Sequence, residues 1–181
     1  MSPEAIYPYI ILEEYLPYQA EALQLVKPLG HSIHVTLVEK MDGAVKSLKS
    51  EDLSVINLTP TQAYAKAIEN LENLLISGVI QMQVFAQGPD GKPFILVGGH
   101  WGAAACVLLP NMPNLARNSL HTEEICFSIP HREALLIFAK EDRAYRDRMR
   151  AMIEEMEGNP PKPLTLGLFT FRADVPVALR E

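Results

Sequence analysis

The feature that most constrains the fold is a predicted helix with a complete N-terminal capping sequence. It lies between two segments whose sequences are typical of β-hairpins. Thr59 is a preferred N-cap residue, Pro60 suits the first helical position, and Gln62 is placed to close a capping box. Apolar residues then recur at steps of three and four, which predicts a core-facing stripe and a helix over about 59–77. The stripe comprises Tyr64, Ala67, Ile68, Leu71, Leu74 and Leu75.

Each hairpin signal is a turn sequence between two extended runs. The runs 33–37 and 44–48 flank Asp42-Gly43, and an Asp-Gly pair between such runs is typical of a hairpin. The runs 79–86 and 93–97 flank a Gly-Pro-Asp-Gly sequence, in which the proline presets a turn and glycine supplies positive φ. We therefore expect an antiparallel hairpin on each side of the capped helix.

The second half of the chain predicts more strands and one more helix. The run 103–109 is apolar and fits a buried strand or a short helix, between which periodicity does not decide. The runs 124–129 and 134–139 predict two strands joined by an exposed turn at 130–133, and the alternation over 164–171 predicts a closing strand. These patterns favour an α+β fold with a mixed or mostly antiparallel sheet.

The second predicted helix covers about 141–157. Glu141 and Asp142 are expected in its first turn, where carboxylates complement the helix dipole, and the Gly-Asn-Pro-Pro sequence 158–161 is expected to end it. The predicted buried stripe of this helix consists of Tyr145, Met149, Met152, Ile153 and Met156.

Composition sets the size and the class of the protein. The chain has 181 residues, of which 48% are hydrophobic and 21% charged, so one α+β domain spanning 1–181 with the two main helices is expected. The net charge of -6 gives no attraction to phosphate, and the apolar runs are far shorter than the roughly 20 residues of a membrane span. We expect no nucleic acid or membrane partner and, because residues 1–10 lack the basic residues of a leader, a cytoplasmic location.

Neither cysteine nor histidine spacing predicts a cofactor. Cys106 and Cys126 lie in apolar runs and are expected to be reduced core thiols. The five histidines show no metal-binding spacing, so neither a metal site nor a cofactor is expected.

The most unusual segment is Gly98-Gly99-His100-Trp101-Gly102. Its three glycines free the backbone around the only tryptophan and a titratable imidazole, so a ligand could approach this loop closely. It lacks the spacing of a phosphate-binding loop. The structural alternative is a turn or bulge with Trp101 packed on the core.

A second candidate is the predicted turn Pro130-His131-Arg132-Glu133. It offers an imidazole, a cation suited to bidentate pairing and a carboxylate, although neighbours on an extended chain point to opposite faces. The structural alternative is a charged connection whose Arg132 pairs with a helix carboxylate. We expect the two segments to meet and to form one rim of a groove lined by His100, Trp101, His131, Arg132 and Glu133.

Six short patterns are distributed over nearly the whole chain: Ile6-Tyr7-Pro8, Ser50-Glu51-Asp52-Leu53, AIENL over 67–71, Gly98-Gly99, Pro130-x-Arg132 and Leu164-Thr165-x-x-Leu168-Phe169. In their order and spacing they resemble the YtpQ-like family of uncharacterised bacterial proteins. The resemblance implies a single bacterial cytoplasmic α+β domain and supplies no activity. This chain departs from the family pattern at His100 and Gly102, where acidic residues are usual, and at Glu133, where the family has Asp, which weakens an enzymatic interpretation.

The sequence thus predicts a non-catalytic module that binds a small molecule or a protein, with its oligomeric state open. No complete catalytic constellation is visible, and no catalytic residue is assigned. The alternative is a small acid–base enzyme of hydrolase type that uses His100 or His131 with Arg132 and Glu133. A third interpretation, a membrane-surface or nucleic-acid adaptor, would use Arg143, Arg146 and Arg150, which share one line of the second helix.

Overall fold

A computed structural model describes residues 2–17, 25–157 and 163–180. The chain divides into two compact units, Met1–Gly78 and Val79–Glu181, which are treated one at a time. Each unit contains helices and an antiparallel sheet, so the predicted α+β class is confirmed, with two sheets instead of one. The expectation of one domain over 1–181 stays a prediction.

The first unit is a four-stranded antiparallel sheet against which a long helix packs. Strand β3 is paired with β1 along one edge and with β2 and β4 along the other. The predicted hairpin at Asp42-Gly43 is confirmed as β3–β4, with Gly43 at φ 71°. The elements are β1 (Ile6–Leu12), β2 (Lys27–Gly30), β3 (Ile33–Met41), β4 (Ala44–Ser47), α1 (Ser50–Val55) and α2 (Pro60–Ile76).

Helix α2 begins where its capping sequence predicts. The Thr59 hydroxyl accepts a hydrogen bond from the Gln62 amide at 3.3 Å, and the Gln62 side-chain oxygen accepts one from the Thr59 amide at 2.9 Å. This reciprocal pair satisfies two backbone donors that the helix itself leaves without partners. The predicted helix over 59–77 is thereby confirmed.

The buried face of α2 is rotated from the predicted stripe. Ile68 and Leu75 are only half-buried, whereas Asn70 is buried and donates to the backbone oxygens of Pro3 at 2.8 Å and Ile6 at 2.9 Å. Small side chains allow the helix close to the sheet, and the hydrogen-bonded amide fixes which face turns inward. The residues of that face are Ala63, Ala67, Asn70 and Leu71.

The second unit is a six-stranded antiparallel sheet in the order β10-β9-β7-β8-β6-β5. The hairpins β5–β6 and β7–β8 and the strand β9 were predicted, and β10 was not. Its elements are β5 (Gln81–Phe85), β6 (Phe94–Gly98), α3 (Met112–Leu120), β7 (Ile125–His131), β8 (Ala134–Ala139), α4 (Arg143–Glu157), β9 (Pro163–Arg172) and β10 (Val175–Ala178).

Helix α4 covers one face of this sheet. Asp142 is the N-cap residue instead of a first-turn residue, because its carboxylate accepts from the Tyr145 amide at 2.8 Å. Met152 is half-buried and Met156 is 45% exposed, so the predicted stripe is too long at its C-terminal end. The predicted stop over 158–161 lies outside the described residues. Tyr145, Met149 and Ile153 pack in a cluster with Phe94, Cys126, Leu136, Phe138 and Leu168.

The apolar run 103–109 forms a 3₁₀ helix, Ala104–Leu108, which is followed by α3. Both contact β6 and β8. Leu135 and Ile137 alternate with residues that face α4, and they are fully buried too. The central strands of the sheet are therefore covered on both faces.

The predicted exposed turn at 130–133 is wrong in its first half. Strand β7 continues through His131, and Pro130 is buried within it. The pairing of β7 with β8 shifts register between Ser128 and His131, and such a bulge accommodates a proline that has no amide hydrogen to give to the ladder. Only Arg132 and Glu133 remain to connect the strands.

Candidate functional site

The two segments singled out in the sequence lie side by side in the second unit. Gly98, at the end of β6, is paired with Ala134, at the start of β8. The Arg132 backbone oxygen accepts from the Ala104 amide at 3.1 Å, and a Cβ atom on Gly98 would lie 3.4 Å from the Glu133 backbone oxygen. The loop 98–102 and the Arg132-Glu133 turn therefore meet at one end of the sheet.

His131 is held by both of its ring nitrogens. Nε2 lies 2.5 Å from a carboxylate oxygen of Glu157, the last residue of α4, and Nδ1 accepts from the Glu133 amide at 3.2 Å. Because Nδ1 accepts, the hydrogen-bond network assigns the proton to Nε2. The side chains of His131 and Glu157 are 19% and 16% exposed. This imidazole ties the end of β7 to the end of α4.

His100 makes the same short-range contact through Nδ1 as His131. Its Nδ1 accepts from the Gly102 amide at 3.0 Å, two residues along the chain, as His131 Nδ1 does from Glu133. The His100 ring lies 4.9 Å from the Trp101 ring, and both residues are half-buried. Each imidazole thus has a turn-stabilising role of the kind that Asn and Asp side chains fulfil in Asx turns.

The carboxylate that pairs with an imidazole here is that of Glu157, whereas Glu133 contributes its backbone amide. Glu157 lies 26 residues from His131 in the sequence, so no local motif could have revealed it. The geometry orients an imidazole. It presents no ring nitrogen of His131 to a substrate.

Both cysteines are free and fully buried, as predicted. Burial raises the pKa of the Cys106 thiol to about 12. A thiol with this pKa stays protonated at neutral pH and is a poor nucleophile.

The arginine line on α4 is engaged within its own helix. Arg150 pairs with Asp147 at 2.7 Å, and the Arg143 side chain lies 3.8 Å from the other oxygen of the same carboxylate. The Arg146 guanidinium donates to the Glu141 backbone oxygen. Two of the three arginines thus share one carboxylate, and the third is held by a backbone oxygen, which does not favour a phosphate surface.

Strand β5 is an exposed edge that the sequence did not reveal as such. It is the terminal strand of the six-stranded sheet, and its sequence QMQVF carries no charge. Val84 is 51% exposed on one face and Phe85 36% exposed on the other. Gln81 is paired with Gly98, and a Cβ on Gly99 would lie 3.9 Å from the Gln81 side chain, so this edge begins at the loop 98–102.

The opposite edge of the sheet has features that prevent strand addition. Strand β10 contains Pro176, which has no amide hydrogen, and Arg172 and Asp174 flank its connection to β9. Proline and charge are common means of protecting a sheet edge. Strand β5 has neither.

Two polar depressions meet at Arg117 on α3, with volumes of about 590 and 370 Å³. The guanidinium already donates to Asp174 at 2.9 Å, to the Asn114 side chain at 3.1 Å and to the Glu123 backbone oxygen at 3.1 Å. Lys140 in the smaller depression pairs with Glu124 at 3.1 Å. Arg117 and Lys140 are thus matched by carboxylates of the fold, which does not favour an anion site here.

Comparison with known proteins adds no family. No family model, no curated protein and no solved structure matches this chain. Among the described residues, no group of three or more His, Cys, Asp or Glu is arranged to hold a metal ion. No helix within these same ranges is both long and apolar enough to cross a membrane.

Proposed function

We propose that this protein is a non-catalytic interaction module that takes up an extended segment of a partner polypeptide along β5. One observation supports the proposal above the others: β5 ends a six-stranded sheet, has no charge and no proline, and is exposed on both faces. A strand with these properties is a template for strand addition.

The physical basis is the row of backbone groups on the outer side of β5. An added strand would satisfy them, and each hydrogen bond formed contributes a net of about 0.5 to 1.5 kcal/mol. Val84 and Phe85 offer apolar surface to side chains of the added strand on opposite faces. Trp101 and His100 belong to the loop beside the Gln81 end of the strand, so we propose that they contact the same partner.

The acid–base alternative has one observation in its favour, the contact between His131 and Glu157. A general base also needs a ring nitrogen that can reach the substrate. Since Nδ1 of His131 accepts from the Glu133 amide, the pair serves the fold. The interaction module is the function that this geometry supports better.

We also retain three proposals that rest on sequence patterns alone. The net charge of -6 supports a protein partner over nucleic acid. A bacterial origin and a relationship to the YtpQ-like family rest on the ordered short motifs. A cytoplasmic location and the absence of a membrane partner rest on the short apolar runs.

The proposal is tested with a fluorescent peptide of alternating Thr and Val residues, measured by fluorescence anisotropy. The peptide should bind, and the same peptide with two adjacent central prolines should not, because proline removes amide donors. Val84→Asp should abolish binding. Val175→Asp, at a residue 60% exposed on the opposite edge strand, is the matched control and should leave binding intact. Absence of binding to the monomeric chain at high dilution, or equal loss in both variants, would refute the proposal.

A further inference from the structure

We infer that the partner of β5 is a second copy of this chain, paired antiparallel through the same strand. The inference rests on the proposed function, because it requires β5 to accept a strand. Two six-stranded sheets would then join into one continuous sheet of twelve strands about a two-fold axis at Gln83. Such a contact is isologous, so the same surface is used on both subunits.

The register follows from the pleat. Residues directly opposite one another in an antiparallel pair point to the same face of the sheet. A two-fold axis perpendicular to the sheet must therefore pass beside one residue and its own copy. Centring the axis on Gln83 is the choice that pairs all five residues of β5: Gln81 with Phe85, Met82 with Val84, and Gln83 with itself.

Self-pairing requires an uncharged contact surface, and β5 provides one. A chain with a net charge of -6 repels its own copies, and a two-fold axis places residues near it opposite their own copies. The whole stretch 73–89 carries no charged residue, although 21% of the chain is charged. Strand β5 lies within this stretch, so self-pairing there brings no like charges into opposition.

The side chains are self-complementary in this register. Phe85 stacks on Phe94 of its own sheet, with ring centroids 4.9 Å apart and planes within 7°. The stacked pair would lie beside Gln81 of the second copy. Val84 and Met82 would meet on the opposite face, and the two Gln83 amides, each a donor and an acceptor, would exchange hydrogen bonds.

The inference is tested by sedimentation over a concentration series with a charge-swap pair. The wild-type chain should sediment at twice its mass of 20.2 kDa. Gln83→Lys and Gln83→Glu should each sediment as monomers, because each would oppose its own charge. An equimolar mixture of the two should regain the dimer. Asn118→Lys, on an exposed residue of α3, is the control and should remain dimeric.

Three results would overturn the inference. The first is a wild-type chain that stays monomeric over the whole concentration series. The second is a dimer that persists in each Gln83 variant measured by itself. The third is a mixture of the two variants that stays monomeric although circular dichroism shows that both are folded. A monomer that still binds the Thr-Val peptide refutes self-pairing and leaves the proposed function standing. A monomer that does not bind it refutes both.

Discussion

Two tyrosines with opposite hydroxyl environments allow a matched test of the packing. Tyr145 is 2% exposed, and its hydroxyl has no hydrogen-bond partner among the described residues. Burial raises its pKa to about 12, with further contributions from Glu141 and Asp90. The Tyr64 hydroxyl instead donates to the backbone oxygen of Leu25, and the Val35 backbone oxygen lies 3.3 Å away.

Removing each hydroxyl should therefore change stability in opposite directions. A buried polar group without a partner costs about 1 to 3 kcal/mol, so Tyr145→Phe should raise the free energy of unfolding by about 1 kcal/mol. The ring remains, and with it the edge contact to Phe138 at 6.2 Å. Tyr64→Phe should lower the free energy of unfolding by about 1 to 2 kcal/mol, because it removes the donor to the Leu25 backbone oxygen.

The assay is urea unfolding followed by circular dichroism, with the midpoint compared at unchanged slope. Tyr145→Phe should shift the midpoint upward and Tyr64→Phe downward. If Tyr145→Phe lowered the midpoint as much as Tyr64→Phe, the hydroxyl would have a partner, and the assigned packing of α4 on the sheet would be wrong.

Three further predictions concern the core, a helix cap and the thiols. Leu71→Ala should cost about 2 to 5 kcal/mol in urea unfolding, since Leu71 is fully buried, and an unchanged midpoint would refute its burial. A hydrogen bond from the Lys49 amide lowers the pKa of Asp52 below its ordinary value of 3.8. The ionised carboxylate of Asp52 therefore stabilises the fold above pH 3.8, and this contribution is lost as the pH falls through the lowered pKa. Asp52→Ala should accordingly cost about 0.5 to 2 kcal/mol near neutral pH and almost nothing in strong acid, and a cost independent of pH would contradict this. Cys106 and Cys126 should react with a thiol reagent only after unfolding, and rapid labelling of the native chain would show that a thiol is accessible.

The parts of the fold that the sequence predicts are those encoded locally. The start of α2 depends on Thr59, Pro60 and Gln62, which are adjacent enough to define a cap without help from the rest of the chain. The hairpins depend on turn residues between extended runs. The 98–102 loop and the Arg132-Glu133 turn were also expected to meet, and the structure places them side by side because β6 ends at Gly98, opposite Ala134, where β8 begins.

What the sequence did not predict depends on tertiary contacts. Apolar spacing placed Ile68 and Leu75 in the core, whereas a buried amide at Asn70 sets the orientation of α2. The sequence pattern placed Pro130 in a turn, whereas the structure places it within β7, where a bulge accommodates it. The contact between His131 and Glu157 joins distant segments, and the exposure of β5 depends on the strand order, which periodicity does not encode.

Amide hydrogen exchange in β5 tests the central claim, an open edge that accepts a strand, most directly. In the dilute chain, the amides of residues 81–85 that do not bond to β6 should exchange at nearly unprotected rates. Saturation with the Thr-Val peptide should slow them, while the amides of β10 remain unchanged. Outer amides of β5 that are already protected in the dilute chain, or that the peptide leaves unchanged, would contradict the account.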